Sequence, residues 1–333
     1  MNTRWNNVLL DVRQALGQLS HHRLRTALTL LGMVFGVGAV LAMLAVSEGG
    51  KREALQLIEG MGLNNLIVEG KDFDEETLKE MRKFSTGLSI RDASAMASTL
   101  PFVNAWAGSR EFRVWSVYSR EGDSDSKVVA VSPSYFELSR LRAARGALFD
   151  DQDDRVFAQV AVLGSEAARK LFPNGGAIGG RIKVNHLWLE VIGVLADRNL
   201  DSSEFQGRDV GGEADQIYLP LRTGLARLKR ETLSAELDEV KARLDGTLDP
   251  SVAAGAIAHL LSRRHSDQSD YDIVVPARLL AQHQRTQQIF TIVMSAVAGI
   301  SLLVGGIGIM NIMLASVLER KSEIGLLRAL GAQ

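Results

Sequence analysis

From Ile289 to Leu318 the chain runs thirty residues without a charged side chain. An uncharged apolar run longer than about 18 residues reads as a membrane span. As a helix rising ~1.5 Å per residue it is ~45 Å long, more than a ~30 Å hydrocarbon core, so it must tilt or project. A second run, Ala27 to Val46, gives twenty uncharged residues. A cleaved signal peptide is the competing reading. It is disfavoured because the run is long for a signal core and Ser47-Glu48-Gly49 is a poor cleavage site.

Ahead of the first run, Trp5, Val8, Leu9, Val12, Leu16 and Leu19 recur at helical spacing. They predict an amphipathic helix within 1–26, lying in the membrane interface or packed on a soluble partner. Beyond the run, Ser47 to Gly60 stays helix-compatible and reads as a stalk. Asn65–Val68 reads as a strand. Ser89 is a helix N-cap, with Asp92 in the first turn of a helix over 90–98. Phe102–Trp106 is the next strand, which completes a β-α-β unit. A second such unit is expected near the end of the domain. There Leu233–Val240 alternates imperfectly, Asp249-Pro250 starts a helix that runs to about His265, and Tyr271–Val275 is a strand. Between the two units lie predicted strands over 112–119, 127–131, 159–163, 181–184, 188–195 and 216–219, with one clear helix over 165–172. Ser202 to Glu213 reads as a polar, glycine-rich loop.

The fold class expected is therefore an α/β membrane protein. Two transmembrane helices with helical stalks flank a large extracytoplasmic α+β domain of two lobes, a β-α-β lobe and an inserted strand-rich lobe. The expected segments are an arm over 1–26, a first span over 27–46 and a stalk over 47–64. The domain follows over 65–275, its strand-rich lobe at about 136–222. A stalk over 276–288, a second span over 289–318 and a cytoplasmic segment over 319–333 complete the chain.

Charge then sets an orientation. Arg4, Arg13, Arg23 and Arg25 against Asp11 leave residues 1–26 at +3, and residues 319–333 stand at +1. The whole chain is −1, so residues 27–318 hold −5. By the positive-inside rule both ends face the cytoplasm and the domain lies outside it, in the periplasm or beyond. With no net basic excess, no nucleic-acid partner is expected. The chain has no cysteine, so no disulfide holds the domain.

No catalytic or metal constellation stands out. His259 and His265 are six residues apart, which does not put them on one helical face, and a His-x-x-x-His pair is absent. Asp150-Asp151-Gln152-Asp153-Asp154 lacks calcium-loop spacing and reads as a solvated acidic turn. No Gly-x-x-x-x-Gly-Lys-Ser/Thr occurs in these residues, so any ATP is expected on another chain, and no cofactor is expected here. In the second span, Gly299, Gly305, Gly306 and Gly308, with Ser295, Ala296, Ala298 and Ser301, make a small-residue surface, and Asn311 is a polar group near its end. Such a surface lets backbones approach closely, either within one subunit or across a dimer seam.

Leu302-Leu303-Val304-Gly305-Gly306-Ile307-Gly308-Ile309-Met310-Asn311-Ile312-Met313-Leu314, followed by Glu319-Arg320-Lys321-Ser322-Glu323-Ile324-Gly325, resembles the second membrane helix and coupling region of MacB-like ABC transporter permeases, in the FtsX/LolC/MacB superfamily. Leu24 to Gly32, Leu171-Phe172-Pro173 through Ile182, Val191 to Val194 and Leu260 to His265 are similar to further pieces of that family. The resemblance implies a permease without catalysis of its own. It would be driven by a cytoplasmic ABC ATPase and would pass motion through its stalks to the extracytoplasmic domain, in export or efflux. It implies a homodimer or a heterodimer with a second permease, contact with membrane lipid, and, in a two-membrane cell, a periplasmic adaptor and an outer-membrane channel. By carry-over the ATPase-coupling residues are Glu319, Arg320, Glu323, Ile324, Gly325 and Arg328. The transmembrane packing residues are Gly299, Gly305, Gly306, Gly308 and Asn311. The family has four membrane helices, so two more are expected to follow Ala332. Two other readings compete. A two-span sensor with an extracytoplasmic ligand-binding domain should continue into a signalling domain. A membrane-anchored extracytoplasmic enzyme needs a catalytic cluster.

Overall fold

The computed structural model describes residues 34–331 apart from 39, 53–54, 56–61, 63, 198–203, 206–207, 210–211 and 320, without the side chains of 204, 205, 208, 209, 312, 316, 319, 323, 324, 327 and 328. The expected N-terminal arm, the first residues of the first span and parts of the first stalk and of the polar loop lie outside the described residues. The chain divides into two compact units, Met1–Lys51 with Gln284–Gln333, and Arg52–His283.

The second unit is built on one 12-stranded mixed sheet. Its strands are β1 (Asn65–Gly70), β2 (Val103–Phe112), β3 (Val117–Tyr118), β4 (Asp123–Ser124), β5 (Lys127–Val131), β6 (Ala143–Gly146), β7 (Val160–Leu163), β8 (Arg181–Val184) and β9 (Leu187–Leu195). A separate two-stranded ribbon joins β10 (Glu204–Phe205) to β11 (Arg208–Asp209). The main sheet continues with β12 (Gln216–Pro220), β13 (Glu239–Leu244) and β14 (Tyr271–Val274). Its order is β14-β1-β13-β2-β5-β12-β7-β9-β8-β3-β4, with β6 also paired to β9.

The first four strands in that order interleave two split β-α-β units. β1, helix Ile90–Thr99 and β2 form one, and β13, helix Pro250–Arg264 and β14 form the other. β13 lies antiparallel between β1 and β2, and β1 lies antiparallel between β13 and β14. Local chemistry starts each helix. Ser89 and Asp92 form a reciprocal capping box, and Asp249 caps a helix whose first residue is Pro250. Alternate residues Leu66 and Val68 of β1 and Val240 and Ala242 of β13 are buried with Met96, Ile257 and Leu261 of the helices in the main core. A smaller core gathers Phe136, Phe149 and Tyr218 edge to face, with ring centroids 4.9 and 5.7 Å apart.

Several elements differ from expectation. The strands assigned to an inserted lobe are hydrogen-bonded into the same sheet, through β2 to β5 and β5 to β12. The strand expected over 112–119 breaks after Phe112. Trp115 donates its N–H to the Asn185 side chain, and only Val117–Tyr118 pairs, with β8. The strand expected over 233–240 begins at Glu239, because Glu236 and Leu237 donate their N–H groups to Leu88 O and the Glu236 carboxylate caps Ile90. The acidic run is a helix start. Asp150 and Asp153 cap helix Asp151–Arg155 reciprocally, where negative charge is favoured. Short helices Glu75–Met81, Ser134–Leu138 and Leu221–Arg227 were too brief for periodicity to reveal.

A buried ionic knot ties the two split units together. His265, at the C-cap of helix Pro250–Arg264, donates from Nδ1 to Asp270 Oδ1 at 2.6 Å, and its Nε2 lies 3.4 Å from Asp92 Oδ2. Ser85 donates to Asp270 at 2.6 Å, Arg264 Nε lies 2.5 Å from Asp92, and Arg82 reaches Asp270 at 3.4 Å. His265, Asp92, Asp270 and Ser85 are all buried. Burial opposes the imidazolium, but the two carboxylates override it and raise the His265 pKa to about 9. Despite burial, both aspartates are held below the ordinary carboxylate value by the imidazolium and their hydrogen-bond donors.

The sign of the pH dependence follows. His265 binds its proton more tightly folded than unfolded, so its contribution is complete below 6.5 and is lost as pH rises through about 9. The aspartates contribute above the ordinary carboxylate value of 3.8 and lose their contribution as pH falls. His265→Ala is expected to cost about 3 kcal/mol, because it leaves two facing carboxylates without their cation. It should also abolish the alkaline decline. Urea unfolding of the full chain in detergent between pH 5 and about 10, followed by circular dichroism, checks both; an alkaline limb that survives the substitution contradicts the assignment.

Candidate functional site

The first unit is a pair of helices. Val34–Arg52 and the apolar part of Pro276–Glu319 are both long and apolar enough to cross a membrane. Along the first helix, Gly36, Val40, Met43, Ser47 and Gly50 are less exposed than their neighbours, at alternating steps of four and three. Along the second, Gln287, Met294, Ala298, Ser301, Gly305 and Gly308 do the same, and Gly305 is buried outright. These are two heptad stripes, the pattern of helices packed at a shallow left-handed crossing.

Two contacts join the stripes. Ser47 Oγ donates to Gln287 Oε1 at 2.6 Å. A Cβ placed on Gly36 would come 2.9 Å from the Ser301 Cβ, so only glycine allows the backbones this close. Going back from Ser47 to Gly36 advances the partner from Gln287 to Ser301, so the helices are antiparallel.

The structure divides the small-residue surface that the sequence marked. Gly305 is buried and Gly308 half-buried, on the same stripe as Ser301. Gly299 and Gly306 point away, with nothing within 4 Å of an added Cβ, and line a shallow apolar surface with Leu302, Leu303, Ile307 and Met310. Asn311 is exposed. Sequence reasoning passed over Gly36, Ser47 and Gln287. The signal for Gly36 was present as Gly32-x-x-x-Gly36. Of the coupling residues, Gly325 is described and exposed within helix Lys321–Ala329. Arg320 and the side chains of Glu319, Glu323, Ile324 and Arg328 lie outside the described residues.

Among the described residues no group of His, Asp or Glu is arranged to hold a metal ion. Ser85, His265 and Asp270 bring a serine, a histidine and an aspartate together, but not as a nucleophilic triad. Ser85 donates to the same aspartate as His265, Nε2 faces a second carboxylate, and the three are sealed from solvent. The arrangement can hold the fold; it cannot present a nucleophile.

With no native cysteine, Ser47→Cys with Gln287→Cys provides a clean crosslinking pair. Oxidation of the membrane-embedded chain should give a fast intramolecular crosslink, visible as a gel shift reversed by reductant. Ser47→Cys with the outward-facing Gly299→Cys should give none. Equal yields from the two pairs contradict the packing.

The sequence pattern of the MacB-like periplasmic core domain matches residues 26–263, and that of the FtsX-like permease C-terminal region matches residues 295–333. The chain is 32% identical over 335 residues to the macrolide export ATP-binding/permease protein MacB of Shewanella sp. (strain ANA-3), which covers 99% of the chain and 48% of that protein. It is 35% identical over 327 residues to the protein of that name from Azoarcus sp. (strain BH72), covering 96% of the chain and 46% of that protein. The chain thus spans about half the length of the curated relatives it matches. The crystal structure of the periplasmic region of MacB from Actinobacillus actinomycetemcomitans shares the fold, with a TM-score of 0.54 at 18% identity over 68% of this chain and 95% of that one. The extracellular domain of the noncanonic ABC-type transporter YknZ from Gram-positive bacteria is similar, with a TM-score of 0.50 at 16% identity over 63% of this chain and all of that one. With a periplasmic core domain of this type, an FtsX-like segment and two apolar helices of spanning length, the chain belongs to the MacB-like, FtsX-type family of ABC transporter permeases.

Proposed function

We propose that this chain transmits motion from a cytoplasmic ATPase to its extracytoplasmic domain and so drives efflux. One observation carries the reading. A single helix, Pro276–Glu319, starts one residue after buried Val275 and contains the whole second apolar run; helix Lys321–Ala329 follows almost at once. Its first turn is fastened to the domain, with Arg278 Nε donating to Ser251 Oγ at 2.7 Å. A continuous helix resists compression and bending, so displacement at its cytoplasmic end is delivered at its base. The antiparallel packing of the spans agrees with both ends in the cytoplasm, as the +3 and +1 flanks imply.

In this reading residues 27–46 and 289–318 lie in the plasma or inner membrane, 47–64 and 276–288 are stalks, and 65–275 lies outside. Glu319, Arg320, Glu323, Ile324, Gly325 and Arg328 rest on the ATPase. The outward glycines Gly299 and Gly306 pack against further transmembrane helices or a second permease, where a small-residue surface gains most. The names of the relatives support macrolide-like export substrates. In a two-membrane cell the further partners of this reading are a periplasmic adaptor and an outer-membrane channel.

Glu323→Lys should leave the ATPase bound and hydrolysing while export falls about tenfold or more, since charge reversal at a docking helix breaks coupling rather than chemistry. Drug accumulation in cells, together with ATP hydrolysis by the purified complex, reads the two apart. Unchanged export in a correctly inserted variant contradicts the coupling role.

A further inference from the structure

We propose that an open groove beside helix Ser134–Leu138 binds a zwitterionic amphiphile, a molecule that carries an amine and a phosphate or carboxylate on one apolar body. The groove has a volume of about 780 Å³, within the range of sites that take drug-sized ligands. Its floor is apolar, lined by Phe136, Leu141 and Phe149 of the smaller core. Its charged lining comes from two places. Arg140 and Arg142 lie on the link from the helix into β6, and Asp150 and Asp151 start helix Asp151–Arg155. The backbone singles out Arg140. Leu141 donates its N–H to Phe136 O at 2.7 Å and Arg140 donates to Glu137 O at 3.0 Å, the paired bonds that close a helix on a left-handed residue. That residue is Arg140, at φ 53°. Glycine is the ordinary occupant of the position, because any side chain there is strained. An arginine kept in spite of that strain marks a use for its side chain.

The balance of charge names the ligand. Glu137 also lines the groove, but it is already paired with Arg243 at 2.6 Å. Arg140, Arg142 and Asp151 are exposed and have no ionic partner among the described residues. Asp150 accepts the Gln152 and Asp153 N–H groups through Oδ1, so its Oδ2 is open to a ligand. Two cations and two anions thus line one groove without pairing across it. A simple anion would be repelled by the aspartates, and a simple cation by the arginines. A molecule with both charges satisfies both pairs while its apolar body covers the floor. The guanidinium forks match a phosphate or carboxylate, and the aspartates accept from an ammonium. The groove belongs to the folded domain and does not rest on the ATP-driven reading.

Dihexanoylphosphatidylethanolamine, kept below its micellar concentration, is titrated against the full chain in phosphatidylglycerol nanodiscs. Ala144→Cys, exposed and two residues from Arg142, is then the sole cysteine and carries an environment-sensitive fluorophore. Saturable binding is expected. It should be about tenfold or more tighter than for dihexanoylphosphatidylglycerol, which lacks the amine, or hexylamine, which lacks the phosphate. Arg140→Gly with Arg142→Gln should weaken it about tenfold or more without lowering the unfolding temperature, because glycine suits the left-handed position. Asp151→Asn should narrow the preference for the ethanolamine lipid over the glycerol one. Val252→Ala, on the exposed side of helix Pro250–Arg264, should change nothing. Long-chain phosphatidylethanolamine added to the nanodisc separates two sources, and either supports the proposal. Competition with the probe shows that bilayer lipid reaches the groove, and unchanged probe binding shows that a free molecule fills it. Absent binding, equal binding of the three probes, or binding untouched by the arginine variant overturns the proposal.

Discussion

The position of β1 governs the domain. The strand that opens it is pinned between the two strands that close it, with five residue pairs to β13 and four to β14. Asn65 to Val68 are all buried, and the Asn65 side chain donates to Leu138 O at 2.8 Å. Ordering pairs this far apart in sequence costs loop-closure entropy before any contact compensates it. The return comes from apolar burial on β1 and β13, and from the His265 knot that joins the helices of the two split units. Everything between β2 and β13 can then vary in length while the chain enters and leaves the domain on neighbouring strands.

The helix pair is stabilised differently. Lipid tails are as apolar as leucine, so burying apolar surface gives no drive for two spans to associate. What remains is close backbone approach and the occasional polar bond. Gly36 under Ser301 supplies the first and Ser47 with Gln287 the second. Large residues such as Leu302, Leu303 and Met310 sit on the opposite face, where they meet other apolar matter.

Two buried cations of the domain hold distant elements together. His265 is held charged between two aspartates. Lys241, buried on β13, keeps its proton because Glu239 at 3.5 Å offsets the cost of burial, and it lies 4.4 Å from the Tyr135 ring centroid while donating to Ser139. Each joins elements distant in sequence. Buried charge in this domain thus ties together helices and strands that are far apart along the chain.

The sequence by itself determined whatever local pattern controls. Thirty uncharged residues specify a span whatever surrounds them, because lipid leaves a backbone few alternatives to a helix. Ser89 with Asp92, and Asp249 with Pro250, specify helix starts, because caps act over three residues. The Gly305-Gly306-Ile307-Gly308 segment and its charged sequel carried the family. Only the tertiary structure decided the rest. Strand order interleaves residues 65–70 with 239–274, and no local preference encodes such a pairing. Gly299 and Gly305 are chemically alike, yet one faces outward and one faces Ser301's side of the helix, a distinction set by the first helix. Leu233–Val240 alternated weakly because its first half is bound to Leu88 and Ile90 rather than to a strand. His265 looked like a scattered histidine until folding brought Asp92, 173 residues earlier, against it. Pairing, facing and charge state depend on groups far along the chain, and only the folded chain brings those groups within reach.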